Sequence, residues 1–268
     1  IHTREPPFKH PCQLICVINC RLLTSVRPHC PTAGMKPEPA FTAFDSRGAL
    51  QAAAGDIVEQ VLSEAINARG RAVLMASGGS TPGPVYQRLS TADLDWAKVT
   101  VGLADDRWVP ADSDASNERL LRSTLLTHAG AEASFLPMKT SDDDPFEAVD
   151  EVDATYRGAA SAIDLLLLGM GPDGHTLSWF AEARGLDDAM RPDGDAMVAA
   201  IDAPQTEVTG PHTRRMTLTA NAVSSARHVL LLITGQEKRS IYETASPDLP
   251  VSYLRRYAGD RLTTLYAD

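Results

Sequence analysis

Short apolar runs alternate with amphipathic stretches along most of the chain, and this alternation limits the fold more than any other feature. Residues 71–77 (RAVLMAS) form a continuous apolar run of strand length, the pattern of a strand buried on both faces, as in a parallel sheet. Before it, Leu50, Ala54, Ile57, Val58, Val61, Leu62, Ala65 and Ile66 recur at spacings of three and four. That spacing predicts an amphipathic helix over 48–68, ended by Gly70. After it, a Gly/Ser/Thr/Pro turn leads into a helix through Leu89. The pattern continues with a strand at 98–104 and a helix at 115–126. A helix at 145–160, a strand at 163–168, a Gly-rich loop and a short helix at 176–180 come next. Strands at 197–201 and 215–219, a helix at 220–226, a strand at 228–234, a helix at 236–245 and a strand at 262–266 complete it. The fold class is therefore α/β, a mostly parallel sheet with helices on both faces. Ligands of such sheets sit at the carboxyl ends of the strands.

The 268 residues, 43% of them hydrophobic, suffice for one large domain or two small ones and exclude an extended polar chain. A net charge of -10 gives no general attraction to phosphate backbones, so any anion must be held locally. All four cysteines, Cys12, Cys16, Cys20 and Cys30, fall in the first 30 residues, leaving neither a disulfide nor a thiolate site in the main body. Residues 1–34 carry four basic residues and one acidic, against 21 basic and 34 acidic, a net -13, in residues 35–268. The apolar run 12–19 is far shorter than the roughly 20 residues of a bilayer span. It also lacks a clear signal-peptide cleavage site, and no CxxC pair marks a metal site. Residues 1–34 thus read as a disordered or non-native leader, and Met35 as the start of an ordinary cytosolic chain forming a single domain over 35–268.

Three loops at predicted strand ends carry chemistry. In Ser77-Gly78-Gly79-Ser80-Thr81-Pro82 the glycines let the backbone turn with its N–H groups exposed, two hydroxyls add donors, and Pro82 suits a first helical position. A helix N-terminus adds partial positive charge, so the loop is either a phosphate cradle or a plain turn capped by Ser80 or Thr81. It lacks the Gly-Lys-Ser/Thr ending of a nucleotide P-loop. In Asp105-Asp106-Arg107-Trp108-Val109-Pro110, two carboxylates and an arginine at a strand end suit a salt-bridge and capping role as well as they suit a ligand. Ser116 or Asn117 is the natural cap of the next helix. Gly169-Met170-Gly171-Pro172-Asp173-Gly174-His175 contains GxGxxG, but the following helix is too short for a dinucleotide fingerprint. The better reading has the glycines bringing N–H groups near a ligand while Asp173 orients His175 as a general base. Farther on, Arg215 opens a strand. Lys238 lies in the first turn of a helix, where a cation is disfavoured unless an anion joins it. His128, His212 and His228 have no metal-ligand spacing and HExxH is absent, so no metal is expected.

With these loops in family order and spacing, the chain from Phe41 to Asp268 resembles the 6-phosphogluconolactonase family, relatives of the glucosamine-6-phosphate deaminases. The carriers are 77–82, 105–110 with Ser116-Asn117, 169–176, Arg215-Met216-Thr217-Leu218-Thr219 and 235–238. The resemblance implies a modified Rossmann-like sheet. It also implies hydrolysis of 6-phospho-D-glucono-1,5-lactone to 6-phosphogluconate without metal or cofactor, in the oxidative branch of the pentose phosphate pathway. His175 would activate water with Asp173 beside it. Gly78, Gly79, Ser80, Thr81, Arg107 and Lys238 would hold the phosphate, with Arg215 a weaker candidate. The implied partner is a small sugar-phosphate lactone, handled in the cytoplasm by a monomer or weak homo-oligomer, with no nucleic acid or membrane.

Two departures stand out. The family usually has Asp-Glu-Arg where this chain has Asp105-Asp106-Arg107, and Ser-Leu-Phe-Pro-Gly where it has Ser178-Trp179-Phe180-Ala181-Glu182. An amino-sugar-6-phosphate deaminase or isomerase would place its aspartate base at Asp105, the third catalytic candidate, but a glutamate where Phe180 stands. A non-catalytic sugar-phosphate sensor fits less well, since the proline-rich 1–34 offers no DNA-binding helix pair and His175 and Asp173 are retained.

Overall fold

The computed structural model describes residues 40–159, 162–191 and 193–268. The readings made for 1–34 lie outside them. Strands β1 (Ala40–Phe44), β2 (Ala72–Ala76), β3 (Val99–Leu103), β4 (Asp105–Arg107), β5 (Ser134–Leu136), β6 (Leu165–Gly169), β7 (Val198–Asp202), β8 (Arg214–Leu218), β9 (His228–Thr234) and β10 (Leu262–Ala267) form two sheets. The helices are α1 (Arg47–Arg69), α2 (Gly83–Leu89), α3 (Asn117–Thr124), α4 (Pro145–Ala159), α5 (Leu186–Ala189), α6 (Ala220–Ser225), α7 (Gln236–Thr244) and α8 (Pro250–Ala258).

The larger sheet has seven strands in the order β1-β10-β9-β6-β2-β3-β5, and every pair is parallel. Every residue of β2 is buried, which requires cover on both faces and explains its uninterrupted apolar run. The expected α/β class is borne out. Helix α1 supplies part of the cover through Leu50, Ala54, Val58, Val61, Leu62 and Ala65. Ser46 caps its first turn and Gly70, at φ 73°, ends it. From β2 the chain moves outward to β3, whereas from β6 it moves the opposite way to β9. The strand order therefore reverses between β2 and β6, and the loops leaving their carboxyl ends separate above the sheet. Such a reversal opens a crevice. Among the described residues, no helix is long and apolar enough to cross a membrane.

Three sequence readings are corrected. Asp105 to Arg107 do not form a loop: they are strand β4, which leaves the main sheet and joins an antiparallel sheet in the order β4-β8-β7. Short strands β1 and β5 and helices α5 and α8 lie in stretches read as connections. Finally, 176–180 is no helix. Thr176 and Trp179 form an isolated antiparallel bridge, with Leu177 left-handed at φ 56°. The polar side chains take distant partners: Thr176 Oγ1 donates to the Gly169 carbonyl at 2.9 Å, and Ser178 Oγ to Asp105 Oδ2 at 2.6 Å. Tertiary bonding overrides the local helical pattern.

The turn that follows explains the departure at Ala181-Glu182. The Ala183 N–H donates to the Phe180 carbonyl at 3.2 Å, and Glu182, the second central residue, has φ 63°. A turn with positive φ at that place favours Gly there and Pro before it. Glu182→Gly is expected to raise stability by about 1 kcal/mol, measured by urea unfolding, since a left-handed residue with a Cβ costs about 1–2 kcal/mol.

Candidate active site

A cavity of about 230 Å³ opens over the strand-order reversal, between the loops after β2 and β6, the end of β9, the start of α7 and the strands β4 and β8. Gly78, Gly79, Ser80, Thr81, Asp105, Arg107, His175, Arg215 and Lys238 all line it. Of the site residues expected from sequence, Asp173 alone does not; it stands behind His175 and bonds its Nδ1 at 2.5 Å.

The Gly-rich turn after β6 builds this pair. Gly171 N–H donates to the His175 carbonyl at 2.9 Å and Gly174 N–H to the Gly171 carbonyl at 3.2 Å, with Gly174 at φ 80°. A Cβ on Gly171 would lie 2.1 Å from His175 Cε1, so the ring occupies space that only glycine leaves. On the Asp173 carboxyl, burial pushes upward, but the hydrogen bond and charge of His175 outweigh it and hold the group below its ordinary value. With Nδ1 engaged by Asp173, Nε2 is the ring's remaining basic atom.

The loop after β2 is held at its root. Ser77 N–H donates to the Leu167 carbonyl at 3.1 Å, and the buried Tyr86 hydroxyl to the Ser77 carbonyl at 2.6 Å. No side chain caps α2, so neither Ser80 nor Thr81 takes the capping role. Instead Thr81 Oγ1 meets Thr234 Oγ1 at 3.3 Å, tying the loop to the end of β9. Among the described residues, the N–H groups of Gly78, Gly79, Ser80 and Thr81 find no acceptor. They are free to meet an anion. Ser77 Oγ, in the cavity wall, is buried and also without a partner among the described residues.

Strand β4 splits its charges. Asp106 turns inward, where it accepts from the N–H of Arg107 at 2.8 Å, Asn117 at 2.7 Å and Glu118 at 3.1 Å, and from Ser116 Oγ at 2.9 Å. It anchors the start of α3, whose N-cap is Ser116. Burial pushes the Asp106 carboxyl up to about 6 against those hydrogen bonds. An unfolded aspartate titrates near 3.9. Between about pH 4 and 6 the native state thus holds a proton that the unfolded state has lost, so this group's contribution is largest in acid and is lost as pH rises through 6. Relative to Asp106→Asn, the wild type is expected to lose about 1–3 kcal/mol of unfolding free energy between pH 4 and 7, read from denaturant midpoints at each pH.

Asp105 faces the cavity, bonded to Ser178 Oγ and approached by Asn117 Nδ2 at 3.4 Å. Asn117 is the functional residue that sequence reasoning took for a cap. Its Nδ2 donates to the Asp105 carbonyl at 2.8 Å, its Oδ1 accepts from Arg107 Nη1 at 3.2 Å, and a Cβ on Gly78 would fall 1.8 Å from that oxygen. It joins two of the expected motifs, and only its place after Ser116 in the motif signalled it.

The cations are the unusual feature. Arg107 and Arg215 are directly opposed across β4 and β8, where like charges repel. Arg215 is 3% exposed, and burial pulls its guanidinium below the ordinary value. Its protein acceptors are two carbonyls, of His212 and Thr209, each at 3.2 Å. Burial also lowers the half-buried Lys238 ammonium. Among the described residues, Arg107, Arg215 and Lys238 have no carboxylate within 4.0 Å.

Sheet and cavity together define a class: a parallel α/β protein whose strand ends carry a cationic cavity with a histidine in its wall. Within that class the chain belongs to the glucosamine-6-phosphate isomerases/6-phosphogluconolactonase family, whose profile matches residues 45–263. The 6-phosphogluconolactonase of Rhizobium meliloti is 34% identical over 84% of this chain and 97% of its own length. That of Caulobacter vibrioides is 35% identical over 84% and 96%. The crystal structure of a 6-phosphogluconolactonase from Shewanella baltica superposes with a TM-score of 0.80 at 35% identity, covering 88% of this chain and 100% of that one.

Proposed function

We propose that this protein hydrolyses 6-phospho-D-glucono-1,5-lactone to 6-phosphogluconate, with His175 as general base. The observation that carries the reading is the coexistence, in one cavity, of an Asp-oriented histidine and three cations without carboxylate partners among the described residues. The family membership and the names of the relatives support the same reaction.

The phosphate would lie among the N–H groups of Gly78 and Gly79, the loop residues Ser80 and Thr81, and the charges of Arg107, Arg215 and Lys238. The lactone carbonyl would then face His175. Nε2 takes a proton from water as the oxygen attacks C1, and the carbonyl becomes a tetrahedral oxyanion. Collapse breaks the bond from C1 to the ring oxygen, which leaves as a hydroxyl after receiving the proton from the imidazolium. Asp173 stabilises that imidazolium, as a carboxylate does in a hydrolase triad. Asp105, fixed by Ser178 and Asn117, is an acceptor for a ring hydroxyl. Because the base is a side chain, a chelator is expected to leave the rate unchanged.

The test compares this lactone with glucono-1,5-lactone, which lacks the phosphate, after subtraction of spontaneous opening. Hydrogen bonds to charged groups are worth about 1.5–3 kcal/mol each, so a preference of at least about 100-fold in kcat/KM is expected. Equal values for the two lactones, or no acceleration of either, would refute the reading.

A further inference from the structure

Phe180 is 3% exposed and takes no part in the cavity wall, yet it touches two groups that do. Its ring centroid lies 4.2 Å from that of His175 with an interplanar angle of 31°, and the guanidinium carbon of Arg215 lies 4.8 Å from the same centroid. Both groups line the cavity, and the buried ring packs against each of them without reaching it. We infer that Phe180 is a positioning residue for His175, holding the imidazole on Asp173 and presenting its π-face to the imidazolium formed during hydrolysis.

This rests on the reading of His175 as the base. An aromatic face attracts a cation by its quadrupole. The other charges around His175 are Asp173, bonded to it, Lys238 from α7, and Asp105 and Arg107 across the cavity. From α7 and the residue that precedes α8 the neighbours of the turn are apolar: Ile241 and Leu249 face Gly174. Removing the ring therefore takes away a stabiliser of the imidazolium, and the change favours the neutral imidazole.

The experiment follows the His175 ring resonances by NMR across pH, together with kcat and KM, in Phe180→Leu and Phe180→Tyr. In the leucine variant the titration midpoint of His175 is expected to fall by about half a pH unit, and kcat several-fold, with KM within about twofold. Tyrosine should restore both. Should the leucine variant fail to fold, Phe180→Met carries the same test. A midpoint unmoved in the aliphatic variant, or a tyrosine variant as impaired as the aliphatic one, overturns the inference. His175→Ala separates the two levels: full activity in it overturns the base assignment itself. Lost activity in it beside an unmoved Phe180→Leu midpoint overturns this inference alone.

Discussion

Replacing His175 by alanine is expected to lower kcat for the phosphorylated lactone by about 10²- to 10⁴-fold, the range for a positioned general base, with KM altered less than about threefold. The geometry sets this split. The cations and the loop N–H groups proposed to hold the phosphate belong to β4, β8, α7 and the loop after β2, so they survive the substitution. Uniform binding is retained and transition-state stabilisation is lost. Asp173→Asn should lower kcat by a smaller factor, because the amide can still bond Nδ1 but no longer balances the imidazolium charge. Initial rates over spontaneous hydrolysis, at several pH values, decide the matter. A His175→Ala enzyme with unchanged kcat would remove the proposed mechanism, and one with raised KM alone would move His175 to substrate binding.

Much of this arrangement was legible in the sequence, and the limits have physical causes. Strands β2, β6 and β9 were found because burial on both faces demands unbroken apolar runs, a signal that needs no partner to be read. The loops at their ends followed directly, and with them His175, Asp173, Lys238 and the cradle of Gly78 to Thr81. Strand β4 was missed because its residues are Asp-Asp-Arg: what makes it a strand is β8, more than a hundred residues later, and charge in a strand leaves no hydrophobic pattern. The pairing of Arg107 with Arg215 was hidden for the same reason. The false helix at 176–180 shows the opposite error, since its composition is tolerant of a helix while Thr176 and Ser178 are committed to distant acceptors. Asn117 and Phe180 share this property. Asn117 meets Gly78 and Phe180 meets Arg215, residues far away in sequence, and a one-dimensional reading does not show such contacts.

Replacing Arg215 by methionine is expected to raise KM for the lactone about 10- to 100-fold, the loss of one charge-assisted contact of about 1.5–3 kcal/mol, while Arg107 and Lys238 keep part of the site. Arg214→Met is the internal control. Arg214 is exposed on the same strand and outside the cavity wall, so its removal should change KM by less than about twofold. Stability distinguishes a binding role from a structural one. In the free protein, burial and the opposed Arg107 work against the Arg215 cation, whereas the charge of Asp105 and the bonds of Arg215 to the His212 and Thr209 carbonyls work for it. These oppose each other, so the methionine variant should lie within about 1 kcal/mol of the wild type without ligand. Inorganic phosphate should then raise the Tm of the wild type by mass action and raise that of the variant far less. A variant that unfolds outright, or that responds to phosphate as the wild type does, would make Arg215 a brace for the loop before β8 and leave the anion to Arg107 and Lys238.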